Sequence, residues 1–370
     1  MSVDAHPEAG GRTLDLRADL AVRGVRVARP DGATVQRTGG AGPSDDGHLV
    51  LLGLPTTLRV AGDSPYSVDG DRLLRDGLVL DDVAVEPVAR PRFYDLRTSD
   101  GVAMTQVARL HGRDVLASTV IQTCTRFTAE ETRCRFCAVE RSLEAGATTA
   151  VKTPQQLAEV ARAAVDLDGV RSVVLTTGTT PGSDRGAAHL ERCVAAITTA
   201  VPGLPVQVQC EPPGDTRQAR QAWFRRLRDA GATTIGIHAE ALDEQVRASW
   251  TPGKATVPLS TYDEAWDDAV AVFGRNRVST YVLVGLGEDP DELVEACGRL
   301  IERGIYPFVV PFRPLAGTLA ADVPAPDPGL VADVSTRVAA LLASAGMRGA
   351  DQKAGCAACG ACGLLAAAGG

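Results

Sequence analysis

From residue 113 onward the sequence alternates six times between a short apolar run and an amphipathic stretch. The apolar runs cover residues 115–121, 172–176, 206–210, 234–238, 279–284 and 306–310. Helical periodicity predicts helices over 153–166, 186–199, 218–230, 262–273, 291–303 and 328–345. Thr153 stands before a proline suited to the first helical turn, and Gly231 and Gly304 stand where left-handed caps end helices. Near-continuous apolar runs of this length suit strands covered on both faces, hence a parallel sheet. The expected fold is therefore α/β, a partial (βα)6 TIM-type barrel, with an open doubly wound sheet as the alternative. In both, chemistry collects at the C-terminal ends of the strands.

The first strand is followed by CTRFTAEETRCRFC, which places Cys124, Cys134 and Cys137 at spacing C-x9-C-x2-C. Three thiolates on one strand-end loop can hold three corners of an iron–sulfur cube and leave the fourth iron open. Zinc is the alternative, but a closed zinc site needs a fourth ligand, and none is near in sequence. His111 precedes the strand and so lies at its other end. The nine-residue gap, 125–133, is charged and is expected to loop out. TTGTTPG, with Thr177, Gly178 and Thr179, follows the second strand; Glu211 follows the third; His238 and Glu240 follow the fourth, with Arg247 and Lys254 beyond them. Val284-Gly285-Leu286-Gly287 follows the fifth but lacks the third glycine of a dinucleotide fingerprint. Each motif alone reads as a turn, a cap or a core residue. Together they predict a polar mouth.

The remaining signals set the frame. A net charge of −8 without a basic block argues against nucleic acid or an anionic membrane surface as partner. No apolar stretch is long enough to span a bilayer, and the N-terminus lacks a signal-peptide pattern, so the expected location is cytoplasmic. Residues 1–95 carry short β-like runs (20–28, 49–54, 78–85) between Gly, Asp and Pro clusters. They are expected to form a β-rich accessory region that caps the barrel mouth or binds a partner, with a disordered first dozen residues and a surface turn at 41–45. The barrel is assigned to 96–345 and a cysteine-rich tail to 346–370. In that tail Cys356, Cys359 and Cys362 stand at C-x2-C-x2-C, the first three ligand spacings of a ferredoxin run. An auxiliary iron–sulfur cluster, zinc, and a redox or disordered tail are the competing readings. Cys193, Cys210 and Cys297 read as packing residues.

The cluster loop ending in CRFC, TTGTTPG and VLVGLGED resembles the radical SAM superfamily, in its biotin synthase-like branch. SPY, RPRFYDL, LHGRDVLA and QCEPP are similar to a bacterial family encoded near nitrilase-type enzymes. The usual loop of the superfamily is C-x3-C-x2-C, and TTGTTPG lacks its acidic residue. The resemblance implies that Cys124, Cys134 and Cys137 bind a [4Fe–4S] cluster whose free iron chelates S-adenosylmethionine (SAM). Reductive cleavage would then yield a 5′-deoxyadenosyl radical acting on a small organic substrate, with a reductase, flavodoxin or ferredoxin as electron donor. It further implies Phe136, Val284 and Gly285 near the adenine, Thr177, Gly178, Thr179 or Glu211 for the ammonium, Glu211, His238 or Glu240 for the ribose, and Arg247 for the carboxylate. A non-catalytic iron–sulfur or zinc scaffold, or an electron carrier, is the rival reading.

Overall fold

A computed structural model describes residues 7–27, 48–57 and 61–369; the 41–45 turn lies outside them. Strands β1 (Val115–Thr119), β2 (Ser172–Thr176), β3 (Val206–Gln209), β4 (Thr234–Gly236), β5 (Val278–Val284) and β6 (Ile305–Pro311) form one parallel sheet in sequential order. A seventh strand, Arg109–His111, pairs antiparallel with β1 at one edge. The order never reverses, so right-handed crossovers keep the connecting helices on one face. A doubly wound sheet needs a reversal and is thereby ruled out. The sheet is the wall of a partial TIM-type barrel.

Helices α1 (Pro154–Asp168), α2 (Ala187–Ala200), α3 (Arg217–Asp229), α4 (Leu259–Phe273), α5 (Pro290–Glu302) and α6 (Pro328–Ser344) cover the outer face. Thr153 forms a full capping box with Gln156 at the start of α1, and Asp289 and Asp327 cap α5 and α6 before prolines. Strand residues alternate between the two faces. Leu175, Val208 and Ile235 pack outward with Leu157, Leu190 and Phe224 of the helices. Val174, Gln207, Gln209 and Tyr281 lie on the inner face, toward the lumen.

The front of the chain differs from expectation. Residues Pro7–Arg23 form a helix, where a disordered start and a strand over 20–28 were expected. Apolar residues occupy two of its sides. Ala18 and Val22 join the core of α6, while Leu20 joins Leu51, Tyr66 and Leu73 of the small sheets. Packing on both sides selects a helix from a stretch whose local pattern suits a strand. Two small sheets follow, one of His48–Leu51, Leu54–Thr57 and Val85–Pro87, the other of Arg26–Val27, Tyr66–Asp69, Arg72–Arg75 and Leu78–Val79. The region is mixed helix and sheet. It lies against the tail, with the Thr57 N–H donating to the Ala361 carbonyl at 2.8 Å, and against Arg313 beyond β6, whose Nε donates to the Ala21 carbonyl at 3.1 Å.

The tail enters the barrel. Asn276 holds the Arg348 carbonyl at 3.0 Å, and Thr234 donates to the Ala354 carbonyl at 3.4 Å. Gly355 then passes so close to Gln207 that a Cβ would stand 2.1 Å from its Nε2. After the helical turn Cys356–Cys359 the chain reaches Gly363, which lies against the Val309 carbonyl of β6. The tail thus crosses the lower lumen to the seam between β6 and the Arg109–His111 edge.

Lys152 and Gln122 fix the two ends of the cysteine loop. Gln122 donates to the Val139 carbonyl at 2.6 Å, and the Lys152 ammonium donates to Gln122 Oε1 at 3.1 Å and the Thr149 carbonyl at 2.8 Å. Among the described residues no carboxylate offsets the burial of Lys152, and burial pushes its pKa down to about 7. Between pH 7 and the ordinary lysine range the unfolded chain binds the proton and the folded chain does not. Stability from this group therefore rises with pH through that window. Urea midpoints at pH 7 and pH 9.5 are expected to show this rise, and Lys152→Met is expected to remove it.

Candidate functional site

The mouth is built by loops that touch one another through backbone. The turn after β2 lies on the loop after β1: the Gly178 N–H donates to the Ile121 carbonyl at 2.8 Å, and a Cβ on Gly178 would stand 2.0 Å from the Thr123 carbonyl oxygen. Only glycine fits there, one residue before Cys124. The Thr125 N–H donates to the Thr179 carbonyl at 2.9 Å, and Thr119 and Thr176 share a hydroxyl hydrogen bond of 2.8 Å.

The nine-residue insertion does not loop out. It folds as two 3-10 turns, Thr125–Phe127 and Glu130–Thr132, wedged against the segment after β4. The Thr132 carbonyl lies 2.3 Å from where a Cβ of Gly253 would be. Arg133 stacks on Phe127 at 3.9 Å, and Arg126 reaches across the mouth to Glu211 at 3.2 Å and Thr256 at 3.2 Å. Charged side chains that suggest a solvated excursion instead tie the insertion to β3 and β4. The rest of the loop is clamped too: Arg135 donates from its backbone N–H to the Trp250 carbonyl at 2.9 Å and accepts from the Ala320 N–H at 3.0 Å. Phe136 packs into the core that holds Trp250 and Val284.

Cys124, Cys134 and Cys137 share this loop, and Cys124 lies close enough to the other two to disfavour their ionisation. Burial pushes the Cys137 thiol up to about 12 and Cys134 higher still. Loading a metal there displaces thiol protons. Lys254 supplies the compensating charge. Burial opposes its ammonium, but Glu240 at 2.9 Å, together with Tyr262, Cys134 and Glu211, holds it charged. Glu240 itself adopts a left-handed φ of 72°.

The remaining predicted residues divide. Glu211 is buried and engaged on both oxygens, by Thr179 at 2.8 Å and by Arg126. His238 accepts from the Tyr281 N–H at its Nδ1 (3.1 Å), and burial lowers its pKa to about 4. The neutral ring therefore carries its proton on Nε2, which is buried and without a partner among the described residues. Gly236 leaves the room, since a Cβ there would lie 2.5 Å from the ring. Arg247 is fully buried, stacked on Tyr262 and bonded to Glu244 and to the carbonyls of Lys254 and Val257. Thr177 Oγ1 donates to the Gly178 carbonyl. Gly285, at φ 101°, lies against Pro326. A polar cleft of about 250 Å³ opens beside the cysteine loop, lined by Thr125, Arg126, Thr179, Thr180 and Arg185 among others. Arg126 and the lumen glutamines lay outside the sequence-based selection. The signal for the glutamines was present: Gln207 and Gln209 alternate with valines in a strand buried on both faces.

Residues 124–300 match the Radical SAM superfamily. The chain carries a radical SAM domain. The match opens on Cys124 and closes within α5. A curated relative, bacteriochlorophyllide c C-7(1)-hydroxylase of Chlorobaculum limnaeum, is 26% identical over 140 residues, 37% of this chain and 33% of the relative. The chain thus matches about a third of that relative's length. Solved structures with a similar trace include methylornithine synthase (16% identity, 60% of this chain and 61% of that one, TM-score 0.44). A radical SAM methyltransferase from Sphaerobacter thermophilus is another (16%, 68% and 70%, TM-score 0.47).

The three thiols and the dry, lysine-compensated wall suit the cluster that radical SAM domains hold. Among the described residues no group of His, Cys, Asp or Glu is arranged to grip a single metal ion. Gly178→Ala is expected to force the β2 turn off the Thr123 carbonyl and displace Cys124. Iron bound after anaerobic reconstitution should fall several-fold, with a lowered melting temperature. Unchanged iron and melting would contradict the role of this close approach.

Proposed function

We propose that this protein is a radical SAM enzyme acting on a small organic substrate, with Cys124, Cys134 and Cys137 holding a [4Fe–4S] cluster. The observation that carries this reading is the three-thiol loop at the C-terminal end of β1, inside the matched superfamily region. When bound there and reduced, such a cluster supplies the electron that cleaves SAM to methionine and a 5′-deoxyadenosyl radical.

The chain's own residues do the positioning. Gly178 and Thr179 bring the β2 turn against the cysteine loop, where their carbonyls and the Thr179 side chain form a polar ledge for an ammonium. Arg126, although paired with Glu211 and Thr256, stays partly exposed at the mouth near Cys124, whereas Arg247 is fully buried with its fork engaged by protein groups. We therefore assign the SAM carboxylate to Arg126 and give Arg247 the role of fixing the segment that carries Lys254. Glu240, paired with Lys254, and the unpartnered Nε2–H of His238 offer an acceptor and a donor for ribose or substrate hydroxyls. Phe136, Val284 and Gly285 supply the apolar wall for an adenine. Burial keeps this region dry, which favours charge-assisted contacts and protects a radical from water.

The biotin synthase-like branch is our finer assignment, supported by VLVGLGED at the end of β5. The external electron donor is assigned to the flavodoxin or ferredoxin class. No described helix is long and apolar enough to cross a membrane.

The test is anaerobic reconstitution with iron and sulfide, then dithionite and SAM. Release of 5′-deoxyadenosine is expected, and Cys134→Ala should reduce it at least a hundredfold. A fully iron-loaded protein that releases none would refute the reading and favour the scaffold.

A further inference from the structure

The lower lumen holds a second set of metal-binding groups that the chemistry at the mouth does not use. Cys356, Cys359 and Cys362 are carried inside the barrel by the tail. The Cys362 sulfur lies 3.3 Å from His111 Nε2. That histidine ends the antiparallel edge strand, at the opposite end of β1 from Cys124. It is the wrong end for the first cluster and the right end for this one.

Two further features mark the site as built. Gln209, on the inner face of β3, donates to the Cys356 sulfur at 3.2 Å, and the Cys356 N–H donates to Gln207 Oε1 at 3.3 Å. Tyr281 hydrogen-bonds the same sulfur from β5. Amide and hydroxyl donors to sulfur are what stabilise and tune thiolate-bound iron. Second, two glycines make the room. A Cβ on Gly112, at φ 62°, would stand 2.7 Å from the Cys359 sulfur, and Gly355, at φ 98°, lies against Gln207.

We propose that Cys356, Cys359, Cys362 and His111 bind a second iron–sulfur cluster in the lower lumen, with Gln209 and Tyr281 donating to its Cys356 ligand. Three ligands come from the tail and one from the barrel edge, so the cluster also pins the tail across the seam. The inference does not depend on SAM binding at the mouth.

The test uses the full chain carrying Cys124→Ala, Cys134→Ala and Cys137→Ala, reconstituted anaerobically with iron and sulfide. About four irons per chain are expected to remain, and about eight in the wild-type protein. Pulsed EPR of the reduced variant should show a strongly coupled nitrogen, which His111→Ala removes while the iron is retained. Zinc alone or no metal in the variant, or about four irons in the wild-type protein, would overturn the site. A cluster whose nitrogen coupling survives His111→Ala, or never appears, would overturn the assignment of His111. Because no readout uses 5′-deoxyadenosine, a failure here is distinct from a failure at the mouth.

Discussion

A six-strand parallel arc cannot close on itself, and that constraint shapes the rest of the molecule. It leaves two strand edges and a lumen lined on one side only. Helices cover the outer face because sequential right-handed crossovers allow nothing else. The inner face must be covered by other means. Here the tail crosses the lower lumen and meets β6 at the seam, and the front region lies against it through Thr57 and Ala361. The upper lumen stays polar, bordered by His238, Glu240 and Lys254.

Compensation of buried charge organises the mouth. Arg126 with Glu211, and Lys254 with Glu240, are two cation–carboxylate pairs in poorly solvated surroundings. The first joins the cysteine loop to β3 across 85 positions, and the second braces the segment after β4 on itself, near enough to Cys134 for its charges to act there. Removing one member of such a pair leaves the other uncompensated, at about 3–5 kcal/mol for a fully buried case. The pairs therefore hold the loops around the three thiols, of which burial keeps Cys134 and Cys137 protonated in the absence of metal.

Much of this was legible in the sequence. The six apolar runs fall on the six parallel strands, and the helix starts at Thr153 and the caps at Gly231 and Gly304 follow local chemistry. The three mouth cysteines were legible because spacing and strand-end position are local facts. What escaped was set by tertiary contact. The helix Pro7–Arg23 depends on partners on two sides, and the folding of the 125–133 insertion depends on Gly253 and Glu211, over a hundred and over seventy residues away. The approach of His111 to Cys362 spans 251 positions and has no local signature. Arg247, selected as an anion ligand by its type, is held by carbonyls that only the folded chain brings to it.

On the proposed function, SAM binds directly to iron held by Cys124, Cys134 and Cys137. Electron–nuclear double resonance on the reduced, reconstituted protein, with SAM labelled at its amino nitrogen and carboxylate oxygens, measures that contact. Hyperfine coupling from both labels is expected, absent when Cys124, Cys134 and Cys137 are replaced by alanine. A reduced cluster on the intact triplet whose spectrum shows neither coupling would contradict it.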